Sequence, residues 1–277
     1  MISGRTRLIA HLGYPTESFK APMIYNPWFE RCGVDAIVVP VGVQAADYPG
    51  VLAALARLTN LRGALVTMPH KVTTLGLVAE ASPAARIAGA CNALLLRDDG
   101  SWLGDQFDGE GFVRGVVRKG FTARGCRALV SGSGGVGSAI AASLAGAGVA
   151  EMTLFDRDAA MADALRGRLL EHYPKLVVHT GSADPAGQDL VVNATPLGMR
   201  DDDPLPFDVT RIAPTTFVGE VVMKSEITPL LRAARDRGCR IQVGTDMLFE
   251  MIPAYLEFFG MPVATADELR AVARIEY

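Results

Sequence analysis

Six residues, Gly132-Ser133-Gly134-Gly135-Val136-Gly137, stand directly between an apolar run and a helical pattern. Glycine at the first, third and sixth places permits a tight turn, close approach of the backbone to a pyrophosphate, and close packing of the following helix. The helix N-terminus adds partial positive charge, so the chemistry indicated is dinucleotide capture. Asp156 ends the next apolar run, where a carboxylate meets the adenosine ribose. It can accept from both ribose hydroxyls and repels a 2′-phosphate, which favours NAD. Arg157 beside it could clamp such a phosphate, with Asp158 competing for its charge, so NADP stays open. A nicotinamide supplies hydride chemistry, and the protein has to add substrate orientation and a proton carrier. Lys71, after Thr67-Met68-Pro69-His70, and Asp108, after Gly104-Asp105-Gln106-Phe107, are the candidates. Both fall where a cleft between two lobes should open, although each taken alone reads as a surface charge.

These residues need strands and helices to hold them. Apolar runs alternating with helical patterns indicate an α/β protein. In the first part the expected strands are 7–12, 35–41, 63–67, 91–97 and 101–104, the last two joined by a turn at Asp98-Asp99-Gly100. From Arg127 the chain reads strand, glycine loop, helix, strand, with further strands at 176–180, 189–194, 216–222 and 239–243. That makes about six strands in a doubly wound Rossmann lobe. The helical stretch 246–260 and the last helix have no strand after them and are expected to pack back on the first lobe. The domains are therefore read as 1–108 plus 246–277, and 109–245, the latter carrying the dinucleotide loop. Residues 201–206 read as an acidic, proline-rich loop.

Composition excludes several classes. The 277 residues carry 27 Lys plus Arg against 30 Asp plus Glu, a formal charge of -3, which leaves no electrostatic footprint for nucleic acid or anionic lipid. Hydrophobic residues make up 49% and the mean hydropathy is +0.23, yet no run approaches the about 20 apolar residues of a membrane span. No cleavable apolar segment follows Met1, so a cytoplasmic location is expected. Cys32, Cys91, Cys126 and Cys239 lack C-x-x-C spacing and read as buried free thiols. The four histidines lack H-x-x-x-H spacing, so no metal is expected and a metal-dependent dehydrogenase is disfavoured.

Taken in order, Val66-Thr67-Met68-Pro69-His70-Lys71, Gly89-Ala90-Cys91-Asn92, Asp108 with Gly111, the glycine loop, Asn193-Ala194-Thr195-Pro196-Leu197-Gly198-Met199 and Thr228-Pro229-Leu230-Leu231 resemble the shikimate dehydrogenase family. The resemblance runs from Gly13 to Gly260. It implies a substrate lobe built from both chain ends, a Rossmann lobe between them, and reversible NAD(P)-linked oxidation of a ring secondary alcohol, with shikimate or quinate as the default substrate. It also implies that Lys71 and Asp108 form the acid–base pair, with lysine moving the proton. Thr67 and Asn92 match positions that hold substrate hydroxyls, and Thr195, Val221 and Gly244 match positions lining the cofactor.

Where the family carries two serines that grip the substrate carboxylate, this chain has Phe19 and Ala21. A local shift could instead present Ser18 or Lys20. A family asparagine is replaced by Leu65, a tyrosine by Met223, a proline by Ser225 and a glutamine by Met251. Losing such partners costs a site much of its discrimination, so a substrate less polar than shikimate is expected. A non-catalytic dinucleotide-binding or sensing protein on the same fold is the alternative. The partner expected is a small cyclic hydroxy acid or related alcohol, without nucleic acid or membrane, and both monomer and homodimer stay open.

Overall fold

In the computed structural model, which describes residues 2–200 and 202–275, each apolar run read as a strand pairs with a neighbour, and the strands sort into two six-stranded sheets. The first sheet contains β1 (Arg7–Gly13), β2 (Ala36–Gly42), β3 (Leu61–Val66), β4 (Glu80–Ala81), β5 (Ala93–Leu96) and β6 (Trp102–Asp105), in the order β2-β1-β3-β5-β6-β4. β1 lies parallel between β2 and β3, while β5 runs antiparallel to β3 and β6. Gly100, at φ 80°, closes the turn between β5 and β6 by donating to the Arg97 carbonyl. β4 escaped the sequence reading because two residues carry no alternation; pairing with Leu103 and Gly104 of β6 makes it a strand. Helices α1 (Pro22–Cys32), α2 (Tyr48–Leu55), α3 (Lys71–Leu75) and α4 (Pro83–Ala88) connect these strands. Tyr48 and Leu52 of α2 share a core with Leu12, Ala64, Val66 and Leu94.

Between the two sheets in sequence runs α5 (Asp108–Arg118). The second sheet takes β7 (Arg127–Ser131), β8 (Glu151–Phe155), β9 (Val177–Thr180), β10 (Leu190–Asn193), β11 (Phe217–Glu220) and β12 (Arg240–Gln242). Its order is β12-β11-β10-β7-β8-β9 and every pairing is parallel. This is a doubly wound sheet whose strand order reverses at β7, and ligands bind beyond the strand ends at such a point. With it go α6 (Gly135–Gly146), α7 (Ala159–His172), α8 (Pro229–Asp236) and the start of α9 (Gly244–Phe258). β10 and β11 are buried along their whole length, which is where much of the apolar composition goes.

The chain divides into one unit formed up to Phe107 and again from Ile252 onward, and a second formed by Asp108–Met251. The division drawn from the sequence differs: Asp108 and residues 246–251 fall with the second unit, and the later joint lies within α9. Side-chain chemistry explains this. Asp246 pairs with Lys119 at 2.6 Å and Glu250 with Arg118 at 3.2 Å. Past the joint, the Tyr255 hydroxyl donates to the Asn92 carbonyl at 3.1 Å, and Arg62 donates to the Phe259 carbonyl at 2.7 Å. The last helix, α10 (Ala266–Val272), packs on α1 in the first unit, and Arg274 N–H donates to the Met23 carbonyl.

Cys91, Cys126 and Cys239 are buried free thiols, but Cys32 is exposed, because it ends α1 just before the left-handed cap at Gly33. Asp201 of the acidic loop lies outside the described residues. Among the described residues no helix is long and apolar enough to cross a membrane, and no cluster of His, Cys and carboxylates could hold a metal.

α5 packs on α6 through Gly109: a Cβ there would collide with the Ala139 carbonyl and the Ser143 hydroxyl. Gly109→Ala should therefore destabilise the protein by about 2–3 kcal/mol despite the better helix propensity of alanine. Urea unfolding measures this, and an unchanged midpoint would refute the close fit.

Candidate functional site

The glycine loop leaves β7 at the point where the strand order reverses. Gly132 takes φ 102°, and a Cβ on it would lie 2.6 Å from the Ala194 carbonyl oxygen. A Cβ on Gly137 would strike the Gly132 carbonyl, so both glycines are required by the turn itself. Gly134 differs, since a Cβ there would meet nothing within 4 Å. Together with the partly exposed Gly135 and Val136 it leaves the start of α6 uncovered, as the approach of a pyrophosphate requires. Ser133 is buried, and its hydroxyl has no hydrogen-bond partner among the described residues. At the tip of β8, Asp156 accepts from the Ser133 N–H at 2.7 Å and from the Asp158 N–H at 2.9 Å. Two backbone donors thus fix the carboxylate beside the loop. Arg157 is exposed, and Asp158 caps α7 by accepting from Ala160 N–H. These residues fit a nicotinamide dinucleotide.

The strand next to β7 supplies a polar network that the sequence reading only half found. Asn193 lies in register with Ser131 on β7 and with Glu220 on β11. Its carbonyl oxygen accepts from the Thr195 N–H at 3.1 Å and hydroxyl at 2.7 Å, while its amide donates to the Leu197 carbonyl at 3.0 Å and to Glu220 at 3.3 Å. Thr195 is held by these bonds. Glu220 is fully buried; burial pushes its carboxyl up to about 7, against opposing hydrogen bonds from Thr228 and Asn193. Thr228 also caps α8, accepting from Leu231 N–H. The signal for Glu220 was an acid closing an otherwise apolar strand, Phe217–Glu220. Val221 and Met223 follow it and are half-buried. A Cβ on Gly244 would clash with the Val222 carbonyl and lie 3.0 Å from Met223 Cγ, so Gly244 and Met223 are brought together. Met251 packs on α5, where a Cβ on Gly111 would lie 2.6 Å from Met251 Cβ; buried Asp108 begins that helix.

In the first unit, Lys71 opens α3 and is half-buried. The residue before it is clamped: the His70 ring stacks on Tyr48 with centroids 4.0 Å apart, and its Nε2 lies 2.8 Å from the Val43 carbonyl. Thr74 ties the helix back by donating to the His70 carbonyl at 2.8 Å, and lies 2.7 Å from the Tyr48 hydroxyl. Lys71 is near His11, whose pKa is lowered to about 3 by burial and then by the Lys71 charge. His11 stacks on Phe19, and Phe19, Ala21 and Leu65 are buried while Ser18 faces out and Lys20 is half-buried. The structure thus keeps the apolar residues inside rather than shifting Ser18 inward. Thr67 is half-buried; Asn92 is buried, with its carbonyl oxygen accepting from Phe107 N–H at 2.9 Å. The sequence does not single out His11, which lies near Lys71, or Glu220, which is bonded to Asn193.

Residues 12–94 match the model of the shikimate dehydrogenase substrate binding domain. The chain is 37% identical over 276 residues to the shikimate dehydrogenase (NADP(+)) of Acidiphilium cryptum strain JF-5, covering 99% of this chain and 98% of that protein. Its fold is similar to that of shikimate 5-dehydrogenase from Listeria monocytogenes, solved in complex with shikimate and NAD, with a TM-score of 0.88 at 26% identity over 98% of this chain and 97% of that one. It is also similar to quinate dehydrogenase from Corynebacterium glutamicum in complex with NAD, with a TM-score of 0.86 at 28% identity over 96% and 98%.

Glu220 makes stability depend on pH. Its folded pKa of about 7 exceeds the ordinary 4.5, so the folded protein holds a proton that the unfolded chain gives up. Its contribution is full below about pH 4.5 and is lost as pH rises through 7, up to about 3 kcal/mol. Glu220→Gln, of the same shape and uncharged, should lose less stability than the wild type between pH 5 and pH 8 in urea unfolding. Parallel pH profiles would contradict this; the opposite trend from His11 is common to both proteins and cancels.

Proposed function

The chain belongs to the shikimate dehydrogenase family, and on that premise we propose that Lys71 and Asp108 serve a reversible NAD(P)-dependent oxidation of a ring secondary alcohol. The protein is an oxidoreductase acting on CH–OH groups, of the shikimate and quinate type. Substrate recognition is assigned to the unit containing Lys71, and dinucleotide binding to Asp108–Met251. When bound, the dinucleotide accepts the hydride from the alcohol carbon. The Lys71 amine takes the hydroxyl proton as the carbonyl forms, and returns it in the reverse direction. Asp108 is assigned as the second member of the acid–base pair, while Thr67 and Asn92 hold neighbouring hydroxyls. The observation that supports this best is the fixing of Lys71 by the stacked and hydrogen-bonded His70 immediately before it. Phe19 and Ala21 remove the hydroxyls that would grip a carboxylate, which favours a substrate less polar than shikimate. Val221, Gly244 and Thr195 are assigned to the cofactor side, and Met223 and Met251 to the substrate side. The proposed compartment is the cytoplasm, in keeping with four free cysteines.

NAD is the preferred cofactor in this reading. The Asp156 carboxylate, fixed by two backbone N–H groups, offers its remaining lone pairs to ribose hydroxyls and opposes a 2′-phosphate.

Lys71→Ala should lower kcat by about a thousandfold while NAD affinity changes by less than about twofold. Stopped-flow absorbance of the nicotinamide and calorimetry separate the two, and retained turnover would overturn the role given to Lys71. Asp156→Ser should narrow the ratio of kcat/KM for NAD over NADP by about tenfold or more; a wild-type enzyme that prefers NADP would overturn the assignment.

A further inference from the structure

The wall beside Lys71 describes the substrate more closely. The Phe19 ring stacks on His11 with centroids 4.0 Å apart and planes 28° from parallel. Its tip reaches Gly13, where a Cβ would lie 2.9 Å from Phe19 Cζ and would also strike Thr67 Cγ2. His11 pairs in register with Leu65 across β1 and β3. Phe19 therefore lies over the end of the sheet where Thr67 and Lys71 begin, and it fills that space instead of merely failing to donate. With Phe19 7%, Ala21 5% and Leu65 4% exposed, this wall is dry. His11 adds no charge to it, because burial and the neighbouring Lys71 keep its ring neutral.

A carboxylate set against this wall would lose its hydration and gain no donor from Phe19, Ala21 or Leu65. Capacity for uncharged hydroxyls is nevertheless retained. The Asn92 amide nitrogen is buried with no hydrogen-bond partner among the described residues, although its oxygen is satisfied. A buried donor of this kind calls for an acceptor such as a hydroxyl oxygen. We propose that the substrate is an uncharged polyhydroxylated ring, a cyclitol or hydroxyketone without a carboxylate, and that Phe19 backed by His11 is the specificity element that excludes the anion. The inference rests on the oxidoreductase reading above for the reaction but not for binding. The alcohol carbon gives its hydride, with the electron pair, to the oxidised nicotinamide; the hydroxyl proton goes to the Lys71 amine, and a ring ketone remains.

The test uses the full chain with myo-inositol, a cyclohexane triol, shikimate and quinate, each with NAD and NADP, alongside calorimetry of the triol and shikimate on NADH-saturated protein. The wild type should show kcat/KM for an uncharged ring at least about tenfold above that for shikimate, and Phe19→Ser/Ala21→Ser should move that ratio about a hundredfold towards shikimate. Ala21→Ser alone, which leaves the ring stack in place, should move it about tenfold and covers a double variant that does not fold. His11→Val should raise KM for the uncharged ring several-fold with kcat within about twofold, a split that a general loss of folding would not give. Shikimate turned over as well as the uncharged rings, or a folded double variant with an unchanged ratio, overturns the inference and leaves the oxidoreductase reading standing. Triol binding without shikimate binding, in the absence of any hydride transfer, supports the inference and overturns the oxidoreductase reading.

Discussion

Ser131, Asn193 and Glu220 form one row across three parallel strands, and the nucleotide side of the protein depends on that register. Each is the last residue of its strand, so the glycine loop, the segment from Ala194 and the segment from Val221 all leave the sheet at the same level. A slip of one residue would turn the row's side chains to the opposite face and misplace all three segments. The row is held by buried polar groups, which penalise any arrangement that leaves them without partners. Gly132 meets Ala194 closely at the next level, and Asn193 organises Thr195 and Leu197 behind it.

The first unit solves a comparable problem with rings. Two histidines are stacked on aromatic side chains, His70 on Tyr48 and His11 on Phe19. The first fixes the backbone immediately before Lys71; the second lies within electrostatic reach of Lys71. Both histidines have lowered pKa values, chiefly from burial, so neither is a competing cation near the lysine.

What could be read from the sequence was local. The glycine loop, Asp156 and the second-sheet strands follow from patterns spanning a few residues, and the turn at Gly100 from its composition. β4 could not be read, since only pairing with β6 makes Glu80-Ala81 a strand. His11 and Glu220 were missed for a similar reason: their surroundings come from residues far off in sequence, Lys71 and Phe19 in one case and Asn193 and Thr228 in the other. The division of α9 was also misplaced, because its apolar pattern is continuous while its partners change from Lys119 and Arg118 to Asn92 and Arg62 nearby. The apolar replacements at Phe19 and Ala21 were visible, but that Phe19 fills the space beside Thr67 needed coordinates.

The packing of β3 against the end of α9 bears on how the protein is made. A Cβ on Gly63 would lie 2.7 Å from the Phe259 ring, and Arg62 beside it holds the Phe259 carbonyl. The first sheet therefore receives part of its core from residues synthesised some two hundred positions later. Asp108–Met251, by contrast, is one continuous stretch. On the ribosome the Asp108–Met251 unit can close as soon as it emerges, whereas the unit translated first lacks the Phe259 side of its core until the end of α9 has been made.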